Sequence, residues 1–189
     1  MRIISGKYKR RKLLSPKDIL TRPSTDRLRE TLMGVLEGGK LGHPLKSKII
    51  IDVFAGTGAL GIEASSRGNP EKVIFIENNI DAISIIKENI KITNSPKLFD
   101  IINSDISDII SWEHEQAELV FMDPPYFLNL FSGALAKLVS LNALLPGAII
   151  VLETSSKEKV QAIKSFEQLF SKKVGKSLIT FLKFLPSLK

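Results

Sequence analysis

The stretch "IIIDVFAGTGALGIEASSRG", residues 49–68, passes from a β-strand into an α-helix through a glycine-rich turn. "IIIDVF" is an almost continuous apolar run, which is typical of a strand that is buried on both faces of a sheet. Gly56, Gly58 and Gly61 form a G-x-G-x-x-G pattern at the turn, where the backbone can approach a ligand closely. "ALGIEASSRG" predicts a short helix that ends at Gly68. This order predicts a parallel sheet that binds its ligand beyond the carboxyl ends of its strands.

The segments around this stretch continue the alternation of strands and helices. Helices are predicted in "STDRLRETLMGVLEGG", "DAISIIKENIKI" and "FLNLFSGALAKLVSL", and around residues 156–165. Strands are predicted in "KVIFIE", "LFDIINSD", "AELVFMDPPY" and "PGAIIVLE", and "FSKKVGKSLITFLKF" predicts an antiparallel hairpin that turns near Gly175. The alternation predicts an α/β, Rossmann-like fold with a mostly parallel, seven-stranded sheet and helices on both faces.

Length and composition exclude several classes of protein. A chain of 189 residues with 43% hydrophobic content can bury one good core. The absence of Cys excludes disulfides, zinc–thiolate sites and a thiol nucleophile. His43 and His114 lie outside every motif, so we expect no metal site. The sequence shows neither the apolar stretch of a signal peptide nor an apolar run near the roughly 18 residues of a spanning helix, so we expect a cytoplasmic monomer without membrane association.

The excess positive charge lies at the N-terminus. Residues 1–30 hold ten Lys or Arg against three acidic residues, a net charge of +7, which leaves 17 of the 27 basic and 17 of the 20 acidic residues for the rest of the chain. A basic segment on a neutral domain indicates a polyanionic partner, and a solvated, partly disordered tail is the alternative. We therefore divide the chain into a basic extension of a hairpin plus a helix, residues 1–40, and a catalytic domain, residues 41–189. The candidate contacts in the extension are Arg2, Lys7, Lys9, Arg10, Arg11 and Lys12.

Three acidic residues near the ends of predicted strands are candidates for binding a cofactor. Glu77 ends the second strand, 21 residues after Gly56, where a carboxylate can accept two hydrogen bonds from the ribose diol that nicotinamide and S-adenosyl cofactors share. Asp52 precedes the glycine turn by four residues, and its charge suits a sulfonium and an ammonium group better than a pyrophosphate. Asp105 can accept a hydrogen bond from an adenine amino group. The alternative for each acid is a solvated loop or a helix cap.

The stretch "FMDPPYF", residues 121–127, places two prolines directly after a buried run. Proline cannot donate to a sheet, so Pro124 and Pro125 end the strand and leave Asp123 and Tyr126 on a stiff turn. An amino group on a heteroaromatic ring is a poor nucleophile because its lone pair is delocalised into the ring. The Asp123 carboxylate and the Pro124 carbonyl can accept hydrogen bonds from that group while Tyr126 stacks on the base, so the turn predicts methylation of a base amino group. The alternative is a strand terminator followed by a core tyrosine.

The strings "RIISGKYKRRKL", "RPSTDRLRETLMGVL", "DVFAGTGALGIEASSRG", "FIENN" and "DPPY", in this order over nearly the whole chain, resemble the RsmD family of bacterial methyltransferases. The resemblance implies the S-adenosylmethionine-dependent methyltransferase fold, and methylation of the exocyclic N2 of a guanine in 16S ribosomal RNA of the small ribosomal subunit. It also implies that the basic extension contacts this RNA. The residues placed at the cofactor are Asp52, Phe54, Gly56, Thr57, Gly58, Glu77, Asn78, Asp105 and Asp123. The residues placed at the target base are Asp123, Pro124, Pro125 and Tyr126, with Arg22, Thr25, Asp26 and Arg27 over the site mouth.

The chain departs from the family pattern at two places. Ser5 and Gly6 stand where the family usually has two glycines. "VGKS", residues 174–177, stands where it usually has Tyr-Gly-Asp-Thr, so that only Gly175 matches clearly. The contribution of the C-terminal hairpin to substrate binding is therefore open at this point.

Other functions remain open on the residues alone. The nearest is the same chemistry on a DNA adenine, although the N-terminal strings favour ribosomal RNA. Methylation of a glutamine amide in a protein is a second, and its sites usually have Asn in place of Asp123. A nicotinamide-dependent oxidoreductase and a non-catalytic RNA-binding module belong to different classes. If the substrate is a paired guanine, the base must be splayed out before Tyr126 can stack on it.

Overall fold

The computed structural model describes residues 1–15, 26–126, 128–158, 160 and 163–186. Its α-helices are α1 (Asp26–Glu37), α2 (Ala59–Gly68), α3 (Ile80–Thr93) and α4 (Leu130–Ser140). Its strands are β1 (Ile49–Val53), β2 (Lys72–Glu77), β3 (Phe99–Asn103), β4 (Ala117–Met122), β5 (Leu144–Ser155), β6 (Phe166–Val174) and β7 (Ser177–Phe184). Short 3₁₀ helices lie at Pro44–Lys46, Pro96–Leu98 and Ile106–Asp108.

The seven strands form one sheet in the order β3-β2-β1-β4-β5-β7-β6. The strands from β3 to β5 are parallel, whereas β7 runs antiparallel to both β5 and β6. This confirms the predicted Rossmann-like sheet and its closing hairpin, which turns at Gly175. The direction of winding reverses between β1 and β4, so the carboxyl ends of these strands border the crevice where such sheets bind ligands.

The sheet is buried between two apolar layers. All five residues of β1 are buried, and they alternate between the layers: Ile50 packs on one side, while Ile49 and Ile51 pack on the other. Side chains of α1, α2 and α3 cover the first side, and those of α4 cover the second. Helices therefore lie on both faces, as the alternation of the sequence predicted. In the described part of the chain, no helix combines the length and the apolar character needed to cross a membrane.

The helix expected around residues 156–165 is wrong for the part of this segment that the structure describes. Residues 156–158, 164 and 165 lie in turns or bends. The reason lies at Ser155, the last residue of β5. Its hydroxyl oxygen accepts a hydrogen bond from the Lys157 N–H at 3.3 Å, and its carbonyl accepts one from the Glu158 N–H at 2.9 Å. Such local bonds give the backbone an alternative to a helix.

The first fifteen residues pack onto the domain and do not form a loose tail. Backbone hydrogen bonds join both sides of an antiparallel bridge between Arg2 and Lys12, so the predicted N-terminal hairpin is present. Ile3, Tyr8 and Leu13 are at most 5% exposed and share one apolar layer with α1 and α2. The extension and the domain thus have a continuous core.

Buried polar groups on α2 hold this hairpin in place. The Glu63 side chain is fully buried, and its carboxylate accepts hydrogen bonds from the N–H groups of Ile4 at 2.8 Å and Ser5 at 3.0 Å. The guanidinium of Arg67 pairs with the same carboxylate at 2.8 Å, and that of the buried Arg29 lies 3.9 Å away. A buried carboxylate is costly unless it is paired, so removal of either side of this arrangement leaves an uncompensated group.

Gly6 lies against the backbone of Ser66 on α2. The Ser66 carbonyl accepts a hydrogen bond from the Lys7 N–H at 2.7 Å, and its hydroxyl oxygen accepts one from the Tyr8 N–H at 2.9 Å. Gly6 has φ +81°, and a Cβ at this position would lie 1.9 Å from the Ser66 carbonyl oxygen. A side chain is therefore excluded by both the backbone conformation and the contact.

We expect Gly6→Ala to lower the free energy of unfolding by about 2 kcal/mol or more, because the Cβ must push the hairpin off α2. Gly34→Ala is the matched control, since Gly34 lies in α1 with nothing within 4 Å of its added Cβ. That change is expected to raise the stability by up to about 1 kcal/mol through helix propensity. Urea unfolding of the two variants measures the difference, and equal midpoints would contradict this account of Gly6.

Candidate functional site

A shallow cavity, with a volume of about 10 Å³ or about 190 Å³ when the open solvent above it is included, lies at the carboxyl ends of β1, β2 and β3. Four of the predicted cofactor residues, Phe54, Glu77, Asn78 and Asp105, line it. Val53, Ile76, Ser104 and Ile106 complete the lining. Phe54 has φ 59°, a left-handed conformation that a bulky residue rarely adopts and that marks the turn as strained. The cavity combines apolar walls with polar groups at its edge.

Glu77 is already engaged by the backbone around it. Its Oε2 accepts a hydrogen bond from the Gly56 N–H at 2.8 Å, which ties the glycine loop to the end of β2. Its Oε1 accepts from the N–H groups of Asn78 at 3.0 Å and Asn79 at 2.9 Å. A carboxylate offers about four acceptor positions, so these three bonds leave room for about one more donor. We therefore expect Glu77 to accept one hydrogen bond from a ribose diol and not the two that were expected from the sequence.

Asp105 serves both as a helix cap and as part of the cavity wall. Its Oδ1 accepts from the N–H and the hydroxyl of Ser107 at 2.9 and 2.8 Å, at the start of a 3₁₀ helix. These bonds from Ser107 lower the pKa of Asp105 below its ordinary value, so the group is ionised at neutral pH. Its Oδ2 accepts from the Asn78 side-chain amide at 3.1 Å. Asn78 and the negatively charged Asp105 therefore form a hydrogen-bonded pair at the edge of the cavity.

The position of Asp52 differs from the one expected from the sequence. It was expected to present its charge to a cationic cofactor, but it is only 1% exposed and its Oδ2 accepts a hydrogen bond from the Gly61 N–H at 2.9 Å, at the start of α2. Burial raises the pKa of Asp52 to about 8, against a smaller opposing effect of the Gly61 bond. The carboxyl group is thus mainly neutral at pH 7, and it fastens the helix start where a dinucleotide fold would bind pyrophosphate.

The raised pKa of Asp52 predicts a pH-dependent stability. A carboxyl group with a higher pKa in the folded state stabilises the fold below its unfolded pKa of about 4, and this contribution is lost as the pH rises through about 8. Asn at position 52 can still accept from Gly61 but does not titrate. We expect the stability of Asp52→Asn minus that of the wild type to rise by up to about 1.4 kcal/mol per pH unit between about pH 5 and pH 8. Urea unfolding at several pH values measures this, and a constant difference would show that Asp52 is ionised in the folded protein.

The glycine loop is held by a buried residue of α3 that the sequence analysis did not single out. Asn89 on α3 is fully buried, and its amide donates to the Thr57 carbonyl in the glycine loop at 2.9 Å. The same side chain binds the backbone of Leu14, accepting from its N–H at 2.7 Å and donating to its carbonyl at 3.3 Å. Thr57 and Gly58 themselves are not part of the cavity lining. A polar residue between the inward-facing Ile86 and Ile90 was the signal for Asn89.

The turn after β4 lies across the switch point from the cavity. Asp123 is partly exposed, Pro124 is buried and Pro125 is exposed, which places an acceptor and a rigid backbone at the sheet edge. Tyr126 is also partly exposed, so it is not the core tyrosine of the alternative interpretation. Burial raises the pKa of Tyr126 to about 12, helped by the nearby carboxylates of Glu153 and Asp123, so the phenol is neutral at physiological pH.

The hydroxyl of Tyr126 contacts two residues that no motif indicated. It donates to Glu153 Oε1 at 2.9 Å and lies 2.9 Å from Ser177 Oγ. Glu153 belongs to β5 and Ser177 begins β7, so the C-terminal hairpin does reach the candidate site. The partial match of "VGKS" to the family pattern concealed this contact.

The basic residues of the extension separate into exposed and structural groups. Arg2, Lys7, Lys9, Arg10 and Lys12 are exposed. A surface groove of about 290 Å³ brings together Arg2, Ile3, Ile4, Lys9, Arg10, Asp26 and Glu30. Arg27 is exposed, whereas Arg22 and Thr25 lie outside the described residues.

Two arginines of the extension carry structural contacts. Arg11 was expected to bind a polyanion, but its guanidinium donates to the Ile92 carbonyl and lies 5.3 Å from the centre of the Tyr8 ring. Arg29 is fully buried, pairs with Asp26 at 2.7 Å and donates to the Arg2 carbonyl at 2.8 Å. Part of the positive charge counted in the sequence is therefore directed into the protein. Within the ranges that the structure covers, no three His, Asp or Glu side chains are grouped closely enough to hold a metal ion.

Comparisons with known proteins agree with this architecture. A protein-family model described as conserved hypothetical protein 95 matches residues 1–183. The chain is 32% identical over 178 residues to the ribosomal RNA small subunit methyltransferase D of Haemophilus influenzae, which covers 93% of this chain and 89% of that protein. It is 27% identical, over the full length of both proteins, to an uncharacterized methylase, RP545, of Rickettsia prowazekii. The solved structure of the putative methyltransferase yhhF from Escherichia coli is 26% identical and matches 98% of both chains with a TM-score of 0.81.

Proposed function

Because this chain belongs to the RsmD family, we propose that it transfers a methyl group from S-adenosylmethionine to the exocyclic N2 of a guanine in 16S ribosomal RNA. Membership of the family makes the chain a methyltransferase that acts on ribosomal RNA. The methylated atom, N2 of guanine, and the roles of the individual residues are what we propose. One observation carries it: the rigid Asp123–Tyr126 turn and the cavity at Glu77 lie on the same edge of the sheet, on either side of its switch point.

The cavity suits the adenosine part of S-adenosylmethionine. The apolar side chains of Phe54, Ile76 and Ile106 match the faces of an adenine ring, and Asp105 can accept from its amino group. The acceptor position left on Glu77 suits one ribose hydroxyl. A nicotinamide dinucleotide is disfavoured because Asp52 already occupies a helix-start N–H in the position that would bind pyrophosphate.

The turn suits the target amino group. S-adenosylmethionine supplies an electrophilic methyl group when bound. The Asp123 carboxylate and the Pro124 carbonyl accept hydrogen bonds from the two N–H groups of the guanine amine, which draws its lone pair out of the ring. The partly exposed ring of Tyr126 stacks on the base, an interaction worth about 1–3 kcal/mol. As the N–C bond forms, the bond from the methyl group to the sulfonium sulfur would break and S-adenosylhomocysteine would remain. The methylated nitrogen would be acidic and release one proton, which Asp123 can accept. Positioning therefore supplies most of the catalysis.

The purified protein is expected to produce N2-methylguanosine in unmodified 16S ribosomal RNA, either naked or in small subunits, when it is supplied with S-adenosylmethionine that carries a deuterated methyl group. Asp123→Ala is expected to lower kcat about 100-fold, because it removes an acceptor aimed at the amine. Mass spectrometry of the digested nucleosides identifies the methylated product and measures the rate at which the wild type and the variant form it. Deuterated N6-methyladenine in duplex DNA, with none in the RNA, would identify the rival function instead. Ribosomal RNA from cells with and without the gene provides the test in vivo.

The exposed basic residues of the extension are proposed to bind RNA phosphates. Changing Lys9, Arg10 and Lys12 together to Ala is expected to weaken RNA binding at least tenfold, and to reduce the slope of log affinity against log salt by about 2–3, because each lost phosphate contact removes nearly one released counterion. Arg11 is left in place because it holds Ile92.

The matched control changes three exposed lysines outside the extension, Lys46, Lys87 and Lys97, to Ala. This variant loses the same charge and should keep a larger share of RNA affinity and the wild-type salt slope. Affinity for S-adenosylmethionine should be unchanged in both variants. A loss of cofactor affinity together with RNA affinity would show that the extension acts through the fold.

A further inference from the structure

The Tyr126 hydroxyl is enclosed in a three-membered hydrogen-bonded cluster. Its oxygen lies 2.9 Å from Glu153 Oε1 and 2.9 Å from Ser177 Oγ, and Ser177 Oγ donates to the same Glu153 oxygen at 2.8 Å. Glu153 is 5% exposed and Ser177 6% exposed, whereas Tyr126 is partly exposed. The tip of the tyrosine is therefore held inside the protein while part of the side chain faces solvent.

The cluster joins the turn after β4 to two strands of the sheet, β5 and β7. Glu153 follows Leu152 of β5, which pairs with Met122, the last residue of β4 before the turn. Ser177 pairs with Ser155 where β7 lies beside β5. The end of the turn is thus bound to both β5 and β7. Two hydroxyl protons serve the three oxygen–oxygen contacts, so the phenol is hydrogen-bonded within the cluster whenever both protons are directed into it.

We propose that Ser177 and Glu153 are positioning residues, which hold the Tyr126 ring in the orientation that stacks on the target base. This inference rests on the proposed function and adds two residues to it. An aromatic ring that is free to rotate must be ordered when the base arrives, at a cost in side-chain entropy. A ring anchored at its hydroxyl is ordered beforehand, so the stacking interaction appears in full in the affinity for RNA and in the rate. Through Ser177, the C-terminal hairpin becomes part of the base-binding site.

Steady-state methylation of 16S ribosomal RNA by the wild type and three variants tests the role of Ser177. Ser177→Ala is expected to lower kcat/KM for RNA about 3- to 10-fold with unchanged affinity for S-adenosylmethionine, and Ser177→Thr is expected to restore it. Ser171→Ala is the matched control, because Ser171 lies in the same hairpin and bonds to Thr180 at 3.0 Å, outside the cluster. It should keep the wild-type kcat/KM. If Ser171→Ala lost as much as Ser177→Ala, general loosening of the hairpin would be responsible and the proposal would be wrong.

A double variant shows whether Ser177 acts through Tyr126. In a Tyr126→Phe background, Ser177→Ala should cause no further loss, because the hydroxyl it supports is already absent. Equal losses in both backgrounds would overturn the positioning role. A wild-type protein that methylates no guanine would instead refute the proposed function, and the positioning role would fall with it.

A spectroscopic measurement examines the cluster without any substrate. The chain has two tyrosines, Tyr8 and Tyr126, so a protein labelled with ¹³C at tyrosine Cζ gives two signals, and Tyr126→Phe identifies which is which. Ser177→Ala and Glu153→Gln should each shift the Tyr126 signal and leave that of Tyr8 in place. An unmoved Tyr126 signal in both variants would contradict the cluster and hence the proposal.

Discussion

The hydrogen bond from the Gly61 N–H to the buried carboxyl of Asp52 fixes the start of α2 against the sheet, and much of the structure depends on where α2 lies. A Cβ on Gly61 would lie 2.6 Å from the Phe75 ring, so this helix can approach β1 and β2 closely only with glycine at that position. The start of α2 thereby holds the glycine loop in place. Further along, Glu63 and Ser66 bind the N-terminal hairpin. A single helix thus connects the proposed cofactor site to the basic extension.

The two halves of the sheet supply different parts of the proposed reaction. On one side of the switch point, strands β1, β2 and β3 border the cavity proposed for the nucleoside, with Glu77 and Asp105 at its edge. On the other side, the turn after β4 carries the proposed acceptors for the amine, and Glu153 of β5 and Ser177 of β7 bind the Tyr126 hydroxyl. In the proposed reaction the methyl donor and acceptor would therefore meet at the switch point between β1 and β4, where the topology leaves a crevice.

The fold could be predicted almost entirely from the sequence because its signals are local. Apolar runs, the glycine turn and the two prolines each act within a few residues, so the alternation of strands and helices and the closing hairpin followed from them. Polar contacts between distant segments could not be predicted in this way. Asp52 was interpreted as a charged ligand because the sequence does not show that burial raises its pKa. Arg11 and Arg29 were counted as surface charge because the carbonyls that they bind, those of Ile92 and Arg2, lie 81 and 27 residues away along the chain.

Asn89 links the glycine loop to the basic extension, because one buried amide binds the backbone of both Thr57 and Leu14. The two segments, for which different functions are proposed, thus depend on the same buried side chain. A substitution of Asn89 would remove both contacts together, so neither segment can be loosened at this point without loosening the other.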